Sequence, residues 1–169
     1  MKLWKRCLTG AAASAALVPF APLGAVAHAA PAPAPVNTAT VISHVTIEKS
    51  DPSVGYVQAR YTCQPQVDHL WVSVKQNAAA TADPELAQEG SGFEHGATTW
   101  LQSHPVSMQC DGKNHVQTFR VDTTEYSPWA GETVGYGQLS RGQAYVQFCL
   151  VSTTDESLFV SDQGFHDVK

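Results

Sequence analysis

Between residues 57 and 63, apolar Val57, Ala59, Tyr61 and Cys63 alternate with polar Gln58, Arg60 and Thr62, and the same two-residue period recurs along most of the chain. Successive side chains of a strand point to opposite sides of a sheet, so this period suits a half-buried strand and not a helix. Leu70, Val72 and Val74 alternate with Trp71, Ser73 and Lys75 over 69–76, Phe119 and Val121 share a phase over 115–122, and Ala144, Val146, Phe148 and Leu150 share one over 143–153. A β-branched run over 40–49, with Val41, Val45 and Ile47 in phase, and a short run over 157–161 complete the set. Pro, Gly, Asp and Asn separate these runs, which predicts an all-β, antiparallel β-sandwich with one long loop insertion over about 77–110. A helix is predicted only near 83–88, where Asp83 can cap and Pro84 takes the first position.

With 169 residues, 43% of them apolar and 15% charged, the chain can build one core and lacks the charge-rich signature of disorder. Residues 1–29 read as a secretory signal peptide: Lys2, Lys5 and Arg6 precede an Ala/Leu/Val-rich stretch that ends in small residues at Ala25, Ala27 and Ala29. Pro19 and Pro22 interrupt that stretch, so membrane insertion after cleavage is not expected. Residues 30–38, with Pro31, Pro33 and Pro35, form a Pro/Ala-rich linker, and 39–169 form a single domain. The formal net charge is -5, and cleavage removes three cations, so nucleic acid is not expected as a partner and anionic membranes are unfavourable ones. The protein is expected to be extracellular or cell-wall associated.

Export permits disulfides, and Cys63, Cys110 and Cys149 remain after cleavage. Cys63 and Cys110 each end a strand-like run before a turn (Gln64-Pro65, Asp111-Gly112), which predicts that they pair. Cys149 is then the candidate unpaired thiol, and the chain is a monomer or a dimer through Cys149. It lies out of phase with the core residues and shares the other face of its strand with Tyr145 and Gln147.

The order Tyr61-Thr62-Cys63, Leu70-Trp71-Val72-Ser73-Val74, Cys110-Asp111-Gly112 with His115, Phe119 and Val121, then Leu139-Ser140-Arg141-Gly142-Gln143-Ala144-Tyr145-Val146 resembles small secreted actinobacterial proteins of unknown function with an immunoglobulin-like β-sandwich. The resemblance covers about 40–155 and implies architecture alone, because such sandwiches host unrelated functions. The chain differs from antibody-type domains: Trp71 follows Cys63 closely and is out of phase with Leu70 and Val72, and Tyr145 stands four residues before Cys149. Tyr61-Thr62-Cys63-Gln64-Pro65 and Asp83-Pro84 are also loosely similar to actinobacterial subtilisin inhibitors, although that family staples its protease-facing loop with a second disulfide.

No nucleophile elbow, zinc-protease motif, C-x-x-C pair or phosphate-cradling glycine loop occurs, so no catalytic residue, metal ligand or cofactor is expected. Glu94-His95 is the most reactive-looking pair, but it sits in a glycine-rich loop. The more informative feature is the face opposite the core phase, where Trp71 and Lys75 stand beside Tyr145 if their strands are neighbours. Trp and Tyr supply large rigid contact area, so this face, with the aromatic loop carrying Trp129 and Tyr136, is the candidate binding surface. The long connection, with Phe93, Trp100 and Leu101, either folds over that face as a lid or leaves it open. The expected function is a secreted, non-enzymatic binding or interaction module for a protein or glycan partner, with a protease inhibitor and then a secreted enzyme as alternatives.

Overall fold

The computed structural model describes residues 36–88, 92–104, 108–124, 126–127, 131–133 and 135–169. The expected signal peptide, most of the linker, and Trp129 lie outside the described residues. The chain is all-β and antiparallel, with ten strands among the described residues: β1 Thr38–Val41, β2 Thr46–Ile47, β3 Val54–Thr62, β4 His69–Asn77, β5 Ala97–Ser103, β6 Asn114–Asp122, β7 Tyr126–Ser127, β8 Glu132–Thr133, β9 Gly142–Val151 and β10 Val160–Val168.

The main sheet runs β1-β3-β6-β5-β4-β9-β10, with β2 also on β3. It folds into two layers, because β5 and β6 meet through a single register pair, Gln102 opposite Asp122. On the opposite side the sheet comes round on itself. Val45 forms a parallel bridge to Val168, with the Val45 amide donating to Asp167 O (2.8 Å) and the Lys169 amide to Val45 O (2.9 Å).

The core lies between the layers and is built from the alternating residues. Val57, Ala59, Tyr61, Phe119 and Val121 from one layer face Leu70, Val72, Val74, Leu101, Val146, Phe148 and Leu150 from the other, all buried. Phe148 sits at the centre, 5.4 Å from Phe119 and 6.0 Å from Tyr61 between ring centroids. Cys63 and Cys110 form a disulfide at one end of the sandwich, where the Gly112 amide also donates to Cys63 O (2.9 Å).

The structure corrects the strand boundaries in three places. The run 40–49 is divided into β1 and β2, because the chain leaves the sheet at Ser43 and His44 so that Val45 can reach Val168. The long connection 77–110 is not loop throughout: it holds β5, paired along β4 from Val72 opposite Ser103 to Asn77 opposite Ala97. The last strand extends to Val168, with Val160 opposite Leu150 and Val168 opposite Gly142. At 83–88 the turn of helix is a 3-10 turn, Pro84–Ala87, with the Asp83 side chain accepting from the Glu85 amide as its cap.

Gly137 fixes how the segment before β9 lies against β5. Its φ is +83°, and a Cβ there would stand 2.3 Å from the Thr98 carbonyl oxygen. Gly137→Ala combines a left-handed backbone with a clash against main chain, and is expected to cost at least about 1–3 kcal/mol, read as a fall in the urea midpoint.

Candidate binding face on the outer side of the larger layer

The β5-β4-β9-β10 layer has a second face, turned away from the core, and its register aligns side chains into rows. In the first row Phe165 stands opposite Tyr145, Tyr145 opposite Lys75, Lys75 opposite Trp100, and Trp100 bridges to Tyr136. The second row is Gln163, Gln147, Ser73 and Gln102. The third contains Ser161, Cys149 and Trp71, with the Trp71 ring stacked on His104 at 6.4 Å. The strand period thus gathers every second residue of four strands on one surface.

Four of the five side chains expected to form a binding surface, Trp71, Lys75, Tyr145 and Tyr136, meet here, and three more aromatic rings join them. Trp100 and Tyr136 pack edge to face at 6.3 Å, as do Phe93 and Tyr136 at 6.5 Å, and Tyr145 packs on Phe165 at 5.4 Å. Trp100, Gln102 and Phe165 were missed because their strands do not alternate in the sequence. Adjacent Trp100 and Leu101 are both buried, on opposite faces of β5, and β10 is polar in both phases.

Of the two alternatives for the long connection, a lid or an open face, the structure shows a lid at the Tyr145 end. Lys75 is 3% exposed and Tyr145 is 7% exposed, because the Pro84–Ala87 turn closes over this end and buries Leu86 completely in a cluster with Tyr145, Ala97 and Phe165. Apolar Leu86 covers apolar ring surface there, which removes both from water. The turn is anchored by its own chain: Asn77 Nδ2 donates to Asp83 Oδ2 (3.4 Å), and the Gln143 main-chain amide donates to Ala80 O (2.8 Å).

Cys149 is corrected as well. It is fully buried opposite Trp71 and is disulfide-bonded, and no free cysteine occurs among the described residues. The thiol that a dimer through Cys149 requires is therefore not available in this structure.

The polar groups of the face are partly satisfied from within. Ser73 Oγ donates to Gln147 Oε1 (3.1 Å), Trp71 Nε1 donates to Gln102 Oε1 (3.1 Å), and the Tyr145 hydroxyl donates to Gln163 Oε1 (2.8 Å). Two donors are not: Trp100 Nε1 and Gln102 Nε2 are buried without a hydrogen-bond partner among the described residues. Beside them Lys75, 3% exposed, holds its Nζ 5.5 Å over the Trp100 ring with no ion pair among the described residues. Buried donors without acceptors are costly, and a buried ammonium is the costliest of them.

Burial pushes the Lys75 ammonium down to about 8 from 10.5, so it remains mostly protonated at neutral pH. At the other end of the face, burial and the neighbouring His69 push His104 down to about 4. Burial also raises the Tyr145 and Tyr136 hydroxyls.

These shifts give a signed prediction. Lys75→Met removes a desolvated charge and is expected to stabilise the protein at pH 7 by about 1–3 kcal/mol. The unfolded lysine holds its proton up to 10.5 and the folded one only to about 8. The cost in the native protein is therefore complete below pH 8 and fades between those values, and the advantage of methionine shrinks over the same window. Urea unfolding of both proteins at pH 7 and pH 10 checks it.

No protein-family model matches the chain, and no curated protein or solved structure matches it either. The Cys63–Cys110 disulfide, and the lack among the described residues of a helix long and apolar enough to cross a membrane, are compatible with an extracellular protein.

Proposed function

We propose that this protein is an exported, non-enzymatic binding module and that it holds its partner on the outer face of the β5-β4-β9-β10 layer. The observation that carries the reading is the pair of donors on that face, Trp100 Nε1 and Gln102 Nε2, which are buried and lack acceptors among the described residues, beside the Lys75 ammonium held over the Trp100 ring. A fold keeps such groups at a cost in stability, and binding an acceptor-bearing partner is what offsets that cost. The partner is a protein or glycan group that presents acceptors, above all a carboxylate, to Lys75 and Trp100. Trp100, Tyr136, Tyr145 and Phe165 supply rigid apolar contact around it. Access requires the Pro84–Ala87 turn to move off Tyr145.

The test is calorimetric titration with a panel of acidic oligosaccharides and acidic peptides against the wild type, Lys75→Met and Trp100→Phe. A probe bound by the wild type and at least tenfold more weakly by both variants supports the reading. Retention of all binding in both variants, or no binding by any probe, overturns it.

A further inference from the structure

The seam where the sheet comes round on itself is a parallel ladder that is only half made. At its closed end the Val45 amide donates to Asp167 O (2.8 Å), the Lys169 amide to Val45 O (2.9 Å) and the Ile47 amide to Lys169 O (2.9 Å). The odd-numbered residues of β10 therefore turn their main chain toward the β1–β2 segment. The Ile42 amide donates to Gln58 O of β3, which leaves the main chain of Val41 and Ser43 facing β10. One repeat back, the same ladder would join the Ser43 amide to Phe165 O and the Asp167 amide to Ser43 O. Neither bond forms, because the chain bends at Ser43. The Val41 amide, a further repeat back, donates to the Asp162 side chain (Oδ2, 2.6 Å) and not to main chain.

Between these two links lies a cavity of about 420 Å³, walled by Val41, Ser43 and His44 on one side and by Phe165, His166 and Asp167 on the other. Both flanks belong to unbroken described segments, 36–88 and 135–169, so no connection between strands has to pass through the gap. Its ends are closed by the Asp162–Val41 and Val45–Asp167 bonds, four residues or roughly 13 Å apart along β1. An extended peptide cannot run through it, whereas a compact small molecule fits its size.

The gap has no charge to spare. Asp167 already accepts from Gln143 Nε2 and lies 3.5 Å from Lys169 Nζ, and Asp162 is taken by the Val41 amide, so no carboxylate is left for a cation. The one ammonium is matched against these carboxylates on a chain of net charge -5, which disfavours an anion as well. What remains is neutral and of mixed character. The main chain of Ser43 and Phe165 offers both donors and acceptors, and the Asp167 amide adds a donor. The rings of exposed His44 and half-buried His166 have no protein partner among the described residues.

We infer that the seam cavity binds a neutral sugar ring, whose hydroxyls bond to the free main-chain groups of Ser43, Phe165 and Asp167 and to the imidazoles of His44 and His166. Each hydroxyl both donates and accepts, so a polyol on a compact ring matches mixed donors and acceptors without bringing a charge. Bound there, it joins β1 to β10 in place of the missing ladder and satisfies groups that otherwise rely on water. The cavity adjoins the outer face through Phe165, whose ring packs on Tyr145 at 5.4 Å. It is nevertheless a second site, beyond the outer-face reading, and uses neither Lys75 nor Trp100.

Amide NMR of the isotope-labelled full chain tests this, by titration with glucose, galactose, mannose and N-acetylglucosamine at millimolar concentrations. Sodium sulfate and sodium acetate are the anionic probes. At least one sugar is expected to shift the Ser43, Phe165 and Asp167 amides saturably and to slow their exchange, while sulfate and acetate leave them in place. His44→Ala and His166→Ala are each expected to weaken that sugar at least fivefold. His44 stands exposed on the bend, so its variant keeps the fold, and the thermal midpoints of both variants are measured alongside. No saturable shift at these amides with any sugar, or equal affinity in the wild type and both variants, overturns the inference. So does a stronger response to sulfate or acetate, which would make the seam an anion site. Shifts centred on the Lys75 and Trp100 amides would move the sugar to the outer face and would likewise overturn it, so failure here and failure of the outer-face reading are told apart.

Discussion

Phe148→Ala is expected to destabilise the protein by about 3–5 kcal/mol, the usual cost of emptying a phenylalanine site at the centre of a core. Phe148 is fully buried and is the ring on which both layers meet, with Phe119 at 5.4 Å and Tyr61 at 6.0 Å. Neither neighbour can move in to fill the space. The Tyr61 hydroxyl is tied to Gln117 and to the Gln109 amide, and Phe119 is locked in register opposite Val57. The loss should therefore contain the cavity component as well as the transfer component, and should lower the thermal midpoint on the order of 10–20 °C. Phe148→Leu, which keeps most of the volume, should cost less than half as much. Equal losses in the two variants would mean that the layers do not close on this ring.

Removing the bridge with Cys63→Ser and Cys110→Ser together is expected to cost about 4 kcal/mol, because the bond joins residues 47 apart and its loss frees a loop of that size in the unfolded chain. The bridge also ties the end of β3 to the segment entering β6, beside the Gly112–Cys63 main-chain bond. Its loss should raise exchange at Gly112 and Asn114 before the central strands are affected. Urea unfolding with exchange measured residue by residue reads both effects. A loss below about 1 kcal/mol would show that the unfolded chain is already constrained without the bond.

Alternation in the sequence located the core directly, since Val57, Ala59, Tyr61, Leu70, Val72, Val74, Phe119, Val121, Val146, Phe148 and Leu150 are all buried between the layers. The same parity put Trp71, Lys75 and Tyr145 on one surface, because a strand has only two faces and these residues were out of phase with the core. What parity cannot supply is what lies over a face. The sequence left a lid and an open face as alternatives, and Leu86 closes over the Tyr145 end through a contact between segments far apart in the chain.

β5 was hidden because residues of both its faces are buried without alternating in polarity: Trp100 and Leu101 are adjacent, and Thr99, Gln102 and Ser103 are buried although polar. β10 was hidden for the opposite reason. Ser161, Asp162, Gln163, His166 and Asp167 are polar in both phases, and the strand is held by its ladder to β9 more than by burial. The pairing of Cys63 with Cys110 was legible from two strand ends that each run into a turn. The reading of Cys149 as the unpaired thiol failed because phase tells which face a cysteine is on and not whether it is bonded: it is fully buried on that second face and disulfide-bonded.

The direct measurement is the titration of Lys75 in the native protein, followed through its ε-methylene signals with selectively labelled lysine. A desolvated ammonium facing Trp100, without a counter-charge among the described residues, predicts a midpoint near 8 and an upward move when an acidic probe binds. A midpoint at the ordinary lysine value near 10.5, unmoved by any probe, would contradict the closed, charge-holding face on which the functional reading stands.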